Sequence, residues 1–170
     1  NETCKEKWFN DEAPVHRVKL DGFHIDIYEV TQKDFKRVME KNPSEFKGSS
    51  RPVENVTWFD AKEYCRQLGK RLPTEAEWER AARGESNSVF PWGDKAGSEK
   101  ANFCDAQCDK GWKVDQFNDG YSNTAPVGSF PPNSYGLFDM AGNVYEWVSD
   151  WHDEDYYRIS PKENPRGPKS

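Results

Sequence analysis

No run of apolar residues in this chain approaches the roughly 18 that span a bilayer, and a helical membrane span is excluded on that ground. Aliphatic side chains are scarce as well. Hydrophobic residues fill only 34% of the 170 positions, so a core of many small aliphatics is not expected. Positive charge is scattered, without a basic stripe, and the net charge of -6 leaves no electrostatic basis for binding nucleic acid. There is no HExxH pair, no GxSxG elbow and no glycine loop of the phosphate-cradling kind, so the chemistries those motifs carry are not in view. The sequence shows no signal peptide and does not begin with Met. Asn1 is therefore expected to follow a processing site or further sequence. No internal repeat is present.

What the chain does have is rings. Aromatic residues reach 14%, with seven Trp, which argues against disorder despite a strongly negative mean hydropathy. The expected core is a few large rings with little helix around them. A chain of this length is the size of one domain, able to bury about two-thirds of its extended surface.

Four cysteines bear on the compartment. Cys104 and Cys108, in "CDAQCD", are close enough in sequence for a disulfide if the loop permits, for a metal site, or for two free thiols. A metal reading needs more soft ligands nearby, and His16, His24 and His152 are all distant in sequence. Cys4 and Cys65 either pair with each other or stay reduced. A disulfide implies an extracytoplasmic location, whether periplasmic, secreted or lumenal.

Along the chain, "VHRVKLDGFHIDIYEV" alternates through Val18, Leu20, Phe23, Ile25 and Ile27, which reads as strand with a bend at Asp21-Gly22. The period then changes. Thr31 with Asp34, Thr57 with Asp60, and Thr74 with Glu77 are each spaced as helix-start pairs. They predict three short helices, with Phe35, Val38 and Met39 on one face of the first. Ala61, Tyr64, Cys65 and Leu68 mark the inner face of the second, and Trp78, Ala81 and Ala82 that of the third. Gly69 and Gly84 are placed to end the second and third. From Glu85 to Gly136 Gly, Pro, Asn and Asp dominate and no helix is expected. So long an irregular stretch is unusual in a compact domain unless something ties it down.

Four segments in order carry a specific resemblance: "FHIDIYEVTQKDF", "RPVENVTWFDAKEYCRQLGKRLPTEAEWERAARG", "FPWGD" and "TAPVGSFPPNSYGLFDMAGNVYEWVSDW". Together they resemble the formylglycine-generating enzyme family, also called the sulfatase-modifying-factor domain, from about Ala13 to Asp153. The resemblance implies an α+β chain in a compact variant of the C-type-lectin-like fold, low in regular secondary structure, with about three short helices. Residues 1–153 would form the domain, without the family's N- and C-terminal strands. Residues 154–170 would be a polar, proline-containing tail or the start of further sequence.

The resemblance also implies one or two calcium ions. One set of ligands would be the Asp139 and Glu146 side chains with the Gly142 and Val144 carbonyls. The other would be the Asn102 side chain, the Phe103 carbonyl, the Asp119 carboxylate and the Tyr121 carbonyl. Calcium takes six to eight oxygens at about 2.3–2.6 Å from such groups, and glycine turns its carbonyl inward without a Cβ penalty. Without calcium, Asp119 would simply start a turn at Asp-Gly, and Glu146 would pair with Arg71 or Arg80.

Family members that oxidise a cysteine to formylglycine use two thiols that bind copper, in a C-terminal arginine-, glycine- and tryptophan-rich segment. The sequence in hand stops at "NPRGPKS", and Cys104 and Cys108 do not stand at those positions. No catalytic residue is therefore assigned. Glu75, Glu77 and Glu79 crowd a helix start, where the dipole favours them, and His16 and His24 read as surface or partner-contact residues. Two expectations follow. One is a calcium-braced, non-catalytic binding or accessory-subunit module, with another chain covering the incomplete edge of the fold. The other is a formylglycine-generating oxidase, or a related oxygen-using enzyme, whose thiols and copper lie in further sequence.

Overall fold

The computed structural model describes residues 13–85, 88–95, 97, 99–108, 110–111 and 113–168. Three helices begin at the threonines that the spacing selects: α1 (Gln32–Met39), α2 (Trp58–Gln67) and α3 (Glu75–Arg83). Each opens on an extended Thr whose hydroxyl accepts the amide of the third helical residue. At Thr57 and Thr74 the acid at that residue reaches back to the cap amide as well, so two otherwise unpaired donors are satisfied at each start. α3 ends on Gly84 at φ +62, as its sequence suggests.

Regular pairing is sparse. Residues 18–27 form no strand. Only Lys19 bridges, to Glu163, and the other pairings among the described residues are isolated bridges such as Thr31 to Pro52. Residues 154–168 hold a fourth helix, α4 (Tyr156–Ile159), and return to residues 19–21. Lys19 donates to the Lys162 carbonyl at 2.8 Å, and the Asn164 amide donates to the Lys19 carbonyl at 2.9 Å. Among the described residues no helix is long and apolar enough to cross a membrane.

Side-chain amides take over much of the work that a sheet would do. Gln32, buried at the start of α1, donates to the Phe46 and Pro52 carbonyls and accepts from Asn42 and the Gly48 amide. Asn133 donates to the Ala81 and Ala82 carbonyls at the end of α3 and accepts the amides of Tyr135 and Leu137. Backbone groups that have no ladder are satisfied in this way.

The core is small and built around these joints. Ala81, Ala82, Leu137 and Met140 pack together, with Phe23, Ile25 and Trp78 against them. Phe35 of α1 stacks on Tyr64 of α2 with centroids 5.4 Å apart. Leu68, expected on the inner face of α2, is instead 40% exposed. The segment after Tyr145 is fastened to the helix starts. The Trp147 and Trp58 indoles donate to the Val56 and Val148 carbonyls, Ser149 donates to the Pro73 carbonyl, and Asp150 accepts the Glu75 amide.

Candidate metal centre

The acidic segment from Asp139 to Glu146 turns on a left-handed backbone. Asp139, Gly142 and Asn143 all have φ between +57° and +88°. Gly142 is required twice over, because a Cβ there would lie 2.2 Å from the Asn102 carbonyl oxygen as well as at positive φ. Asp139 is buried and accepts the Gly128 amide through Oδ2 at 2.7 Å. Glu146 accepts the Trp78 indole N–H through Oε2 at 3.0 Å. Neither arginine pairs with Glu146. Arg71 forks onto Glu77, and Arg80 donates to the Gly84 carbonyl and lies over the Tyr135 ring.

Burial raises the pKa of both acids. For Asp139 the Gly128 amide offsets part of the rise, and for Glu146 the Trp78 bond does so while Asp139 adds to it. Glu146 opens onto a cavity, yet protein crowds its carboxyl on the other sides, and that crowding is the source of the desolvation.

Glu29 belongs to the same neighbourhood, although its sequence gives little sign of it. It sits in "DIYEVT", where alternation directs attention to the hydrophobic positions. Its pKa is pushed up to about 9, by burial first and then by Asp139 and Glu146, with partial offsets from Asn143 and the Val144 backbone. Oε2 accepts from the Asn143 amide at 2.7 Å, whereas Oε1 is buried with no hydrogen-bond partner among the described residues. The three acids interact electrostatically without forming a cage. Among the described residues no group of three His, Cys, Asp or Glu is placed to hold a metal ion. Any cation here would have to draw on backbone carbonyls and water in addition to carboxylates.

The second candidate set also comes together. Asp119 accepts the Phe103 amide through Oδ2 and the Tyr121 amide through Oδ1, both at 2.8 Å. The bond to Tyr121 is an Asx-type turn, so the plain turn expected at Asp-Gly is present. Burial raises the Asp119 pKa, those two amides lower it, and Asp105 raises it again. Asp105 escaped the sequence reading. It is only 1% exposed, sits between the two cysteines, and accepts the amides of Gln107 and Asp119. An Asp followed two residues later by Gln107 within "CDAQC" is the local signal that marks it.

Asn102 links the two sets. Its side chain donates to the Asn123 carbonyl at 2.5 Å and to Asn143 Oδ1 at 3.2 Å, and its carbonyl accepts the Asn143 amide at 3.0 Å.

Cys104 and Cys108 form a disulfide. Cys65 is a free, half-buried thiol on α2, its pKa raised by burial first and then by Asp26. Cys4 lies outside the described residues; with Cys65 free, the pairing of the two is not formed.

The family model for the sulfatase-modifying factor enzyme 1-like domain matches residues 2–168. The chain belongs to that family. It is 35% identical to the formylglycine-generating enzyme of Mus musculus over 94% of its own length, and spans 57% of that protein. Against the formylglycine-generating enzyme of Streptomyces coelicolor it is 47% identical over 69% of its length, spanning 38% of that protein. A protein named inactive C-alpha-formylglycine-generating enzyme 2, from Bos taurus, is 48% identical over 58% of the chain and is matched over 32% of its own length. Among solved structures, PvdO from Pseudomonas aeruginosa shares the fold at a TM-score of 0.75 and 31% identity, with 95% of this chain and 69% of that one covered. The chain thus spans little more than half, or less, of the curated relatives it matches.

Proposed function

We propose that this domain is a calcium-braced, non-catalytic member of the family that serves as a binding or accessory-subunit module in an extracytoplasmic compartment. The observation that carries the reading is the disposition of sulfur. Cys104 is joined to Cys108 and Cys65 stands alone on α2, so the described residues offer no pair of thiolates to copper. The disulfide also supports an oxidising location. The fold is read as the family's variant of the C-type-lectin-like α+β architecture.

Calcium fits the residues in three respects. Asp139 and Glu146 are crowded acids with no cationic partner. Glu29 adds a buried oxygen without a donor beside them. The left-handed turn at Gly142 leaves no room for a side chain. Asp139 and Glu146, with the Gly142 and Val144 carbonyls, would hold one ion. Asn102, Phe103, Asp119 and Tyr121 would hold the other. The ions would supply positive charge that cross-links loops otherwise joined by a few amide contacts. Trp78 orients Glu146, Gly128 orients Asp139, and Asn143 fixes the turn between them. In this reading another protein chain covers the exposed edge of the domain.

The 47% identity to the Streptomyces coelicolor enzyme favours a second reading. There the domain belongs to a longer oxidoreductase that converts a sulfatase cysteine to formylglycine, with thiols and copper supplied elsewhere. Incubating the native polypeptide at its full length with a Cys-x-Pro-x-Arg peptide, copper(I) and oxygen tests the two by mass spectrometry. An unchanged peptide is expected from the module. Conversion of its cysteine would overturn that reading.

A further inference from the structure

A polar cavity of about 320 Å³ lies between residues 46–51 and 120–123, with Gln107 at its wall. It shares no lining residue with the cavity onto which Glu146 opens. Two cations, Lys47 and Arg51, line it, and no carboxylate does so among the described residues. The turn that carries them is fixed. Gln32 donates to the Phe46 carbonyl and accepts the Gly48 amide, and the Arg51 amide donates to the Gly48 carbonyl at 3.0 Å. A Cβ at Gly48 would lie 2.7 Å from Arg51 Cδ, so the glycine makes room for the arginine stem to fold back over the turn.

The two charges are held by neutral groups. Lys47 donates to the Asn42 carbonyl at 3.2 Å, and Arg51 donates to the Thr124 hydroxyl at 3.3 Å. Lys41, Lys70 and Arg71, by contrast, each reach a carboxylate at 2.5–2.7 Å. Two cations left without an acid on one wall stand out in a chain whose acids outnumber its bases 30 to 24. The net charge of -6 repels anions at a distance, so only close contacts inside the cavity could hold one.

We propose that this cavity binds the phosphate group of a small polar phosphate monoester, of the sugar phosphate kind. A phosphate monoester carries about two negative charges at neutral pH and three acceptor oxygens, which matches two cations where a carboxylate would answer one. Arg51 spends one N–H on Thr124 and keeps the rest of its fork for phosphate oxygens. Ser122 accepts from the Asn123 amide at 3.3 Å, and its own hydroxyl hydrogen is left to donate. Gln107 is steadied by Asn118 at 2.8 Å and has a second N–H to offer. The volume stands at the small end of ligand pockets, which begin at about 300 Å³. A bare ion would leave most of it to water, and amide and hydroxyl groups on the wall suit a polyol as the organic part. The inference is independent of the function proposed above. Tyr121 is common to the cavity and a calcium set, but it serves the latter only through its carbonyl.

The probes are glucose 6-phosphate, glucose 6-sulfate and inorganic phosphate, each titrated calorimetrically into the chain in a phosphate-free buffer of low ionic strength. The sulfate ester keeps the tetrahedral shape and carries one charge fewer. Glucose 6-phosphate is expected to bind about tenfold more tightly than the sulfate ester, the value of one charge-assisted contact, and more tightly than inorganic phosphate. Lys47→Gln, at a side chain whose one bond goes to a neutral carbonyl, should weaken the phosphate ester about tenfold and bring the two esters level. No binding of glucose 6-phosphate, equal binding of the sulfate ester or of inorganic phosphate, or an affinity that survives Lys47→Gln overturns the assignment. The three titrations on the unsubstituted chain decide the matter even if the variant does not fold.

Discussion

The Trp78 indole donates to the Glu146 carboxylate at 3.0 Å, across 68 residues of sequence. This bond ties α3 to the acidic segment, and it answers a charge with a neutral donor where an arginine would be the ordinary partner. Crowding therefore continues to hold the Glu146 pKa up despite the bond.

Replacing Glu146 by Gln keeps an oxygen for Trp78 and removes the charge. The variant is expected to fold and to lose most of the rise in melting temperature that calcium gives the parent. Thermal scans in excess calcium and in excess chelator check this. A parent midpoint indifferent to prolonged chelation would count against the calcium brace itself.

With calcium chelated, stability should fall as pH rises. Glu29, Glu146, Asp139 and Asp119 all have pKa values raised above the ordinary carboxylate range, chiefly by burial. The folded state binds their protons more tightly than the unfolded chain does. Their contribution is complete below the ordinary carboxylate values near 4 and is lost progressively as pH climbs, for Glu29 towards about 9. The chelated chain should melt higher at pH 6 than at pH 8, and calcium should flatten the difference. A midpoint that rises from pH 6 to pH 8 in chelator would contradict the burial of these acids.

Thr74→Ala should cost about 1 kcal/mol in urea denaturation, the usual loss for a hydroxyl cap. Thr74→Ser, which keeps the hydroxyl, should recover most of it. The reciprocal bond from Glu77 to the Thr74 amide, and the fork from Arg71 onto Glu77, remain in both variants.

Asn143→Ala is expected to cost about 3 kcal/mol. It removes the donor to Glu29 and the acceptor that serves the Asn102 side chain and the Ala125 amide, and places an alanine at φ +58. Denaturation with calcium present and absent checks this. Calcium should rescue less of the loss than it rescues in a distant helix-cap variant, because the turn itself is disturbed.

Helix starts were legible because their signal is local: a threonine and an acid three residues apart carry the whole geometry. The expected strand was not, because alternation at Val18, Leu20 and Phe23 describes a face and cannot supply the partner strand. Only Lys19 finds a bridge, 144 residues away. Glu29 was hidden for a related reason, since its donor Asn143 lies 114 residues on. The candidate loops were readable through the resemblance. The link between them at Asn102 and Asn143 depends on tertiary approach and has no sequence signature.

Asn133 has a consequence that unfolding measurements alone would miss, because it concerns slow chemistry in storage. Its side-chain nitrogen donates to the Ala81 and Ala82 carbonyls, at the end of α3 where the helix dipole is already negative. Hydrolysis of that amide to a carboxylate would exchange the donor for an anion and set it against two carbonyl oxygens. The same exchange at Asn143 would place a carboxylate against Glu29. A domain joined by amides in place of a sheet wears at its joints, and deamidation at these two asparagines is the ageing to which this architecture is exposed.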